Sequence, residues 1–426
     1  MQSSDRIQAP SRLFNKNYLL LWQGQTVSML GVSLSMIALM LWIVETTDSA
    51  TIMGSLLMVA AIPNIILGPL SGALADRYSR KKIIVVCDVV SGLLSLAMAL
   101  TLVLYAKMPG LAISAIFVIY VGMAVTNIFF SSAVIAITPD LVPPDKVAAA
   151  NALEMVLQQT AELFGRGFGA VLYRIFGGPF IFVLDGLTFL FSAVSESFIT
   201  TIQKPPGGLG DWRKSLQQLY RDTIEGFAYV LDNRGLRSVI WVYGALNFFV
   251  EPFFVLMPFY VKDSRFLNAS LDWVGYIFAG LALGTTIGYW LPAMLPKRGR
   301  TIGWLILVGM FCMGIGYGCL AVVHQAWIAL LLMTANGILT GLNSNYIYSR
   351  LQICTPQEIR GRVLSVLTTL VLCVSPVGMG IAGLVADYSG HRLDVIFFIC
   401  GGIMALVSLW GCLQNEFRRF IMGVDM

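Results

Sequence analysis

The sequence predicts an all-α membrane protein: twelve transmembrane helices in two pseudo-symmetric bundles of six. Three observations carry the prediction. Of 426 residues, 57% are hydrophobic and 12% charged, against roughly 25% charged in soluble chains, and the mean hydropathy is +0.78. A soluble core does not need that much apolar surface; a bilayer does. Twelve stretches reach the ~20 predominantly apolar residues that a helix needs to cross the hydrocarbon. Lysine and arginine, finally, fall almost wholly on one side of those stretches.

The first seventeen residues are polar and carry Arg6, Arg12 and Lys16. The apolar run behind them, span one at 18–45, is much longer than the roughly 7–15-residue core of a signal peptide. It is therefore expected to stay as a membrane helix. Span two (51–75) runs into a hinge dense in charge, Gly72-Ala-Leu-Ala-Asp76-Arg77-Tyr-Ser-Arg80-Lys81-Lys82, before span three (82–106). So many charges in so short a hinge belong at a membrane surface. Span four (110–138) holds no charged residue, span five (147–174) holds a polar stripe, and span six (178–202) holds Asp185 and Glu196, for which snorkelling or local pairing is expected.

The longest loop follows, at 203–235. Its Leu216, Leu219, Ile224, Phe227 and Leu231 recur at helical spacing opposite Arg213, Lys214 and Asp222, the pattern of an amphipathic helix on the inner leaflet joining two halves. Spans seven to twelve lie at 236–261, 271–296, 300–323, 325–349, 362–388 and 392–414. The domain reading is an N-terminal bundle 1–202, a linker 203–235 and a C-terminal bundle 236–426. Several outer connections are only a few residues long, which makes neighbouring spans antiparallel.

With the N-terminus inside, Lys107, Arg174, Lys262, Arg265 and Arg392 lie near the outer side and Arg166 lies within a span. Every other one of the 28 Lys and Arg falls in a cytoplasmic loop or span end. That asymmetry is what the positive-inside rule requires, and it puts both termini in the cytoplasm. The seven cysteines show no CxxC spacing and are read as small buried hydrophobes. The two histidines, His324 and His391, fall in outer loops or span ends, which argues against a metal site. The chain contains no P-loop or HExxH pattern, so an enzyme, a cofactor and direct use of ATP are not expected.

The halves echo each other. The hinge around Arg80 has a counterpart in Pro296-Lys297-Arg298-Gly299-Arg300, and Val142-Pro-Pro-Asp-Lys-Val before span five parallels Cys354-Thr-Pro-Gln-Glu-Ile before span eleven. The 72–82 hinge closely resembles the cytoplasmic signature loop of the major facilitator superfamily, G-x-L-A-D-R-x-G-R-[KR]-[KR], with Ser79 in place of the usual Gly. The resemblance covers essentially the whole chain. It implies two six-span repeats with the substrate site between them near mid-membrane. Pro356-Gln-Glu-Ile-Arg360-Gly361-Arg362-Val and the opening Asn15-Lys-Asn-Tyr-Leu-Leu-Leu-Trp22-Gln-Gly-Gln resemble the drug, macrolide and siderophore exporter branch, which implies efflux, often driven by the proton gradient. Many proton-driven exporters of the superfamily carry an arginine in span four; this chain has none there, so the resemblance does not by itself bring proton coupling with it.

Candidate site residues are polar groups placed in mid-membrane. In span five, Asn151, Glu154, Gln158, Glu162, Gly165, Arg166 and Gly169 fall within an arc of about 120° at 100° per residue. A stripe that narrow is expected to line a cavity or pack on another polar surface rather than face lipid. Glu162 and Arg166 are one turn apart and able to pair, at a depth where an isolated charge costs at least ~2.5–3.5 kcal/mol. They are read either as substrate- or proton-handling groups or as a structural ion pair. Arg166 stands in Phe164-Gly-Arg-Gly-Phe-Gly169, where related exporters commonly have Gly-Pro, so a buried cation replaces a bend.

In span seven, Glu251-Pro252 sets a carboxylate beside carbonyls freed by proline, with Asn247 one turn earlier. Its partner is expected to be Arg166 or a proton. Gln23, Gln25 and Ser28 in span one, Asn127 in span four, and Asn336 and Asn343 in span ten offer neutral hydrogen bonds, to substrate or between helices. A cytoplasmic gate is expected from Gly72, Asp76, Arg77, Arg80, Lys81, Asp140 and Arg362. Asp76 would cap the positive N-terminus of span eleven near Arg362, and Arg80 would reach Asp140 at the foot of span four. Asp76 has no twin in the second half, where Pro296 stands in its place.

The expected function is alternating-access export of an amphipathic or hydrophobic small molecule, with protons as the candidate coupling ion. The working unit is read as a monomer among membrane lipids, with no nucleic-acid partner. A lipid or lysophospholipid translocase on the same fold and a solute importer are the alternatives, because fold does not dictate direction.

Overall fold

The computed structural model describes residues 12–200, 221, 224–294, 299–357 and 359–422; within these the side chains of a few positions, Asp76 and Arg362 among them, are not described. The expected linker helix from Trp212 to Tyr220 and the basic pair Lys297-Arg298 lie outside the described residues, while 224–232 are helical. The described residues form twelve long helices: α1 Lys16–Thr46, α2 Ala50–Arg77, α3 Arg80–Leu104, α4 Pro109–Leu141, α5 Val147–Phe176, α6 Gly178–Ser197, α7 Arg234–Lys262, α8 Asp272–Met294, α9 Gly299–Cys319, α10 Ala326–Cys354, α11 Arg360–Tyr388 and α12 Leu393–Leu413. A shorter one, α13 Asn415–Met422, follows.

Helices are the expected answer to these sequences, because a backbone in hydrocarbon must satisfy its own N–H and C=O groups within the segment. Eleven of the twelve are long and apolar enough to cross a membrane by composition; α5 is not among them, because its polar stripe lowers its hydropathy. Most ends agree with the apolar runs to within a few residues. The largest misses are α6, which stops at Ser197 rather than 202, and α10, which runs on to Cys354 rather than 349.

Local chemistry explains several ends. Ser79, the residue that departs from the signature glycine, is the N-cap of α3 and accepts a hydrogen bond from the Lys82 amide. Its hydroxyl thus meets one of the orphan amides at the helix start. Asn233 does the same for α7, accepting from the Leu236 amide at 3.1 Å. Gly177, at φ +79, makes the tight turn between α5 and α6, a backbone conformation that glycine adopts without a Cβ penalty.

By packing, the described residues divide into two compact units. One takes α1 up to Ala38, α2 from Ile66, α3, α4, α5 up to Gly165, and Ile175 onward through α6. At the end where α1 begins, Tyr18, Leu21, Ile84, Val134, Ile137 and Leu141 form an apolar cluster, and α6 packs on α3 through a polar seam described below. The other unit takes Leu39–Ile65, Arg166–Arg174 and α7 to α13. Its core includes Phe253 on α7, with ring centroids 4.6 Å from Tyr317 and 4.7 Å from Phe397. The α13 helix, not anticipated from the sequence, buries Phe417, Phe420 and Ile421 and is held by Tyr346 and Arg350 of α10, which donate to the Ile421 and Phe420 carbonyls.

Candidate functional site

The polar stripe lies on one unbroken helix, α5. Asn151 and Gln158 are exposed, and Glu154, Glu162 and Arg166 are half-buried. The glycines around Arg166 have a packing purpose. A Cβ at Gly165 would collide with Ser33 of α1, and one at Gly167 would crowd Ala279 of α8 at 3.3 Å. Small residues on both sides of the arginine therefore let neighbouring helices approach its backbone, the usual device where helices pack in lipid.

Three of the remaining polar candidates have identifiable partners. Glu251 is buried and lies within hydrogen-bonding reach of Ser375 on α11; it forms no ion pair with Arg166. Asn247 turns back on its own helix, donating from Nδ2 to the Tyr243 carbonyl at 2.8 Å. Gln23 donates from Nε2 to Ser195 Oγ at 2.8 Å, joining α1 to α6. Asn336 is buried, with an Nδ2 that lacks a partner, and it packs over Gly316 of α9. Asn343 is buried with neither amide atom bonded, as is Gln25 Nε2, whereas Asn127 is exposed.

At the helix ends on the same side as the start of α1, Arg80 Nη1 lies 2.7 Å from Asp140 Oδ2 and also donates to the Ala136 carbonyl at 2.7 Å. This ties the start of α3 to the foot of α4. Arg77 and Lys81 are half-buried, and the Asp76 and Arg362 side chains lie outside the described residues. Gly72 is exposed, and a Cβ added there meets nothing within 4 Å. The signature glycine is therefore not required by the packing around it.

Sequence reasoning missed a second set of charged ties, at the opposite helix ends and within the second unit. Asp387, in the last turn of α11, accepts from the Ala50 amide at 2.8 Å, the Thr51 amide at 2.9 Å and Ser49 Oγ at 2.7 Å. A carboxylate of one helix thus caps the positive N-terminus of α2. His391 Nε2 is 3.1 Å from the same carboxylate. Lys262 at the end of α7 donates to the Val44 carbonyl and to Asp48. Tyr173 of α5 donates to Glu45 at 2.7 Å, and Arg174 is 3.0 Å from Asp272 at the start of α8.

Arg265 joins Asp263 to the His391 carbonyl, and its hydrogen bonds hold the Asp263 carboxyl below the usual carboxylate range. Asp48 and His391 both adopt left-handed backbone, at φ 49 and 59, at a cost of roughly 1–2 kcal/mol each for residues with a Cβ. The signal for Asp387 was present in the sequence: a carboxylate at a helix C-terminus opposes the local dipole and needs a compensating partner.

The family model for the Major Facilitator Superfamily matches residues 21–371. The chain belongs to the major facilitator superfamily. It is 26% identical over 408 residues to macrolide efflux protein A of Streptococcus pyogenes, covering 94% of this chain and 96% of that protein. It is 24% identical over 362 residues to the enterobactin exporter EntS of Shigella boydii, covering 82% and 80%. Among solved structures, the nucleoside transporter NupG superposes with a TM-score of 0.70 at 11% identity, over 97% of this chain and all of that one, a likeness of fold. This superfamily member is accordingly a multi-pass integral membrane transporter rather than an enzyme.

Proposed function

We propose that this superfamily member is an exporter of the cytoplasmic membrane that works by alternating access. It carries an amphipathic or hydrophobic small molecule outward in exchange for protons. In this reading both termini are cytoplasmic, the halves 1–202 and 236–426 are the two domains joined by 203–235, and the monomer is the working unit.

The observation that carries the reading is the α5 stripe. A helix long enough to span carries Asn151, Glu154, Gln158, Glu162 and Arg166 on one face, none of them fully buried. Charges in a span are costly unless they line a hydrated path or meet a ligand. We assign Glu154, Gln158, Glu162 and Arg166 to substrate and proton handling. Glu251 and Asn247 of α7 join them, with Asn127, Gln23 and Asn336 as neutral groups that shape the path. Gly72, Asp76, Arg77, Arg80, Lys81, Asp140 and Arg362 form the inner gate, for which the Arg80–Asp140 contact is the support at hand. Relatives named for macrolide efflux and enterobactin export favour a large amphipathic cargo.

Glu162→Gln is expected to cut macrolide efflux from cells by about tenfold or more, equivalent to ~1.4 kcal/mol of lost interaction, at unchanged membrane abundance. Undiminished efflux in both Glu162→Gln and Arg166→Gln would remove the stripe from the transport path.

A further inference from the structure

The seam between α3 and α6 contains three buried carboxyls that the proposed transport path does not use. Asp88 is 1% exposed, and Asp185 and Glu196 are 0% exposed. Of the two outcomes expected for Asp185 and Glu196, snorkelling does not occur, because both are buried in the packed interface, where their contacts are local. Asp185 has a donor, since Ser95 Oγ lies 2.7 Å from its Oδ2. Asp88 and Glu196 are different. Their carboxyls lie within hydrogen-bonding reach of each other, yet Asp88 Oδ2 and both Glu196 oxygens have no donor. Fully buried Ser192, one turn before Glu196, lies beside both carboxyls, and its hydroxyl has no hydrogen-bond partner either. Cys87, next to Asp88 on α3, is also buried. Among the described residues no lysine, arginine or histidine pairs with either acid.

Two ionised carboxylates are acceptors only and cannot bond to each other. Placed in contact in a low-dielectric seam, they repel strongly. Glu196 also stands in the last turn of α6, where the helix dipole opposes negative charge. One proton resolves all three conflicts, by turning one acid into a donor to the other.

We propose that Asp88 and Glu196 form a proton-binding site that shares a single proton and fastens α3 to α6. The site lies near the inner helix ends: Asp88 is two turns into α3, and Glu196 is followed by Thr200, which Asn17 of α1 holds. Its proton therefore exchanges with the inner side. The proposal does not depend on coupled transport, and it stands even if export ignores the proton gradient.

The test is the unfolding temperature of the full chain in detergent from acid to alkaline pH, for wild type, Asp88→Asn, Glu196→Gln and the double amide, with infrared spectra of each. In the wild type, rising pH removes the proton and leaves two buried like charges, so the unfolding temperature should fall toward alkaline pH. In either amide variant the new N–H donates to the remaining carboxylate, and the double amide pairs with itself, so that fall should shrink. The wild-type spectrum at neutral pH should hold a protonated-carboxyl band, sensitive to deuterium, that is lost in Glu196→Gln or Asp88→Asn. Should one variant fail to accumulate, the others carry the test. Identical pH profiles with no band lost would overturn the proposal, and so would stabilisation by sodium at fixed pH, which would make the ligand a metal cation.

Discussion

Asp387→Ala is expected to accelerate amide exchange across residues 47–53 by about 30-fold. The substitution removes the acceptor of two backbone amides and one hydroxyl at the start of α2. Capping side chains contribute ~0.5–2 kcal/mol, and hydrogen bonds to a charged group ~1.5–3 kcal/mol. A net loss of about 2 kcal/mol corresponds to the stated factor. Asp387→Asn, which keeps an acceptor oxygen but loses the charge, should fall between. Because α2 then loses its tie to α11 at that end, transport should also slow when reset of this end limits the cycle. Unchanged exchange in 47–53 would mean that the carboxylate does not cap α2 in the membrane.

The second large effect contrasts two glycines. A Cβ at Gly383 would collide with the Ala50 carbonyl oxygen, and one at Gly54 with the Met379 carbonyl oxygen. The obstacles are backbone atoms and cannot swing away, so Gly383→Leu should cost at least the ~1–3 kcal/mol typical of overpacking and lower the unfolding temperature or abolish accumulation. Gly72→Leu meets open space and should fold with an unchanged unfolding temperature. If transport requires a second state in which that space closes, the variant should nonetheless lose most of its transport. A Gly72→Leu protein that transports normally would show that the signature glycine is dispensable to the cycle.

The helices were legible because long apolar runs interrupted by charge leave little freedom in a bilayer, and eleven of them needed nothing more. The α5 helix was legible through the opposite signal, a polar stripe of helical period in an otherwise apolar context. What escaped depended on long-range partners. Asp387 and Ala50 are 337 residues apart, and although an acid in the last turn of a span calls for a partner, nothing local in Val385-Ala-Asp-Tyr-Ser points to the start of α2 as that partner. Asp88 escaped for a related reason: one acid beside Cys87 at the start of a span reads as a surface residue until α6 sets Glu196 against it. The α13 helix was too short to register against span twelve, although Phe417, Phe420 and Ile421 carry its apolar face. Gln23 and Asn247 were legible as polar groups in a membrane, but a single sequence does not distinguish a substrate contact from the interhelical and intrahelical bonds they make.

The central claim, that the chain exports an amphipathic cargo against proton entry, is tested most directly in proteoliposomes holding the purified protein and an internal pH indicator. Adding a labelled macrolide under an imposed pH gradient should move macrolide and protons in opposite directions, with both fluxes lost in Glu162→Gln. Macrolide movement indifferent to the pH gradient would contradict the coupling. Absence of macrolide movement together with headgroup-dependent lipid flipping would contradict the export claim itself.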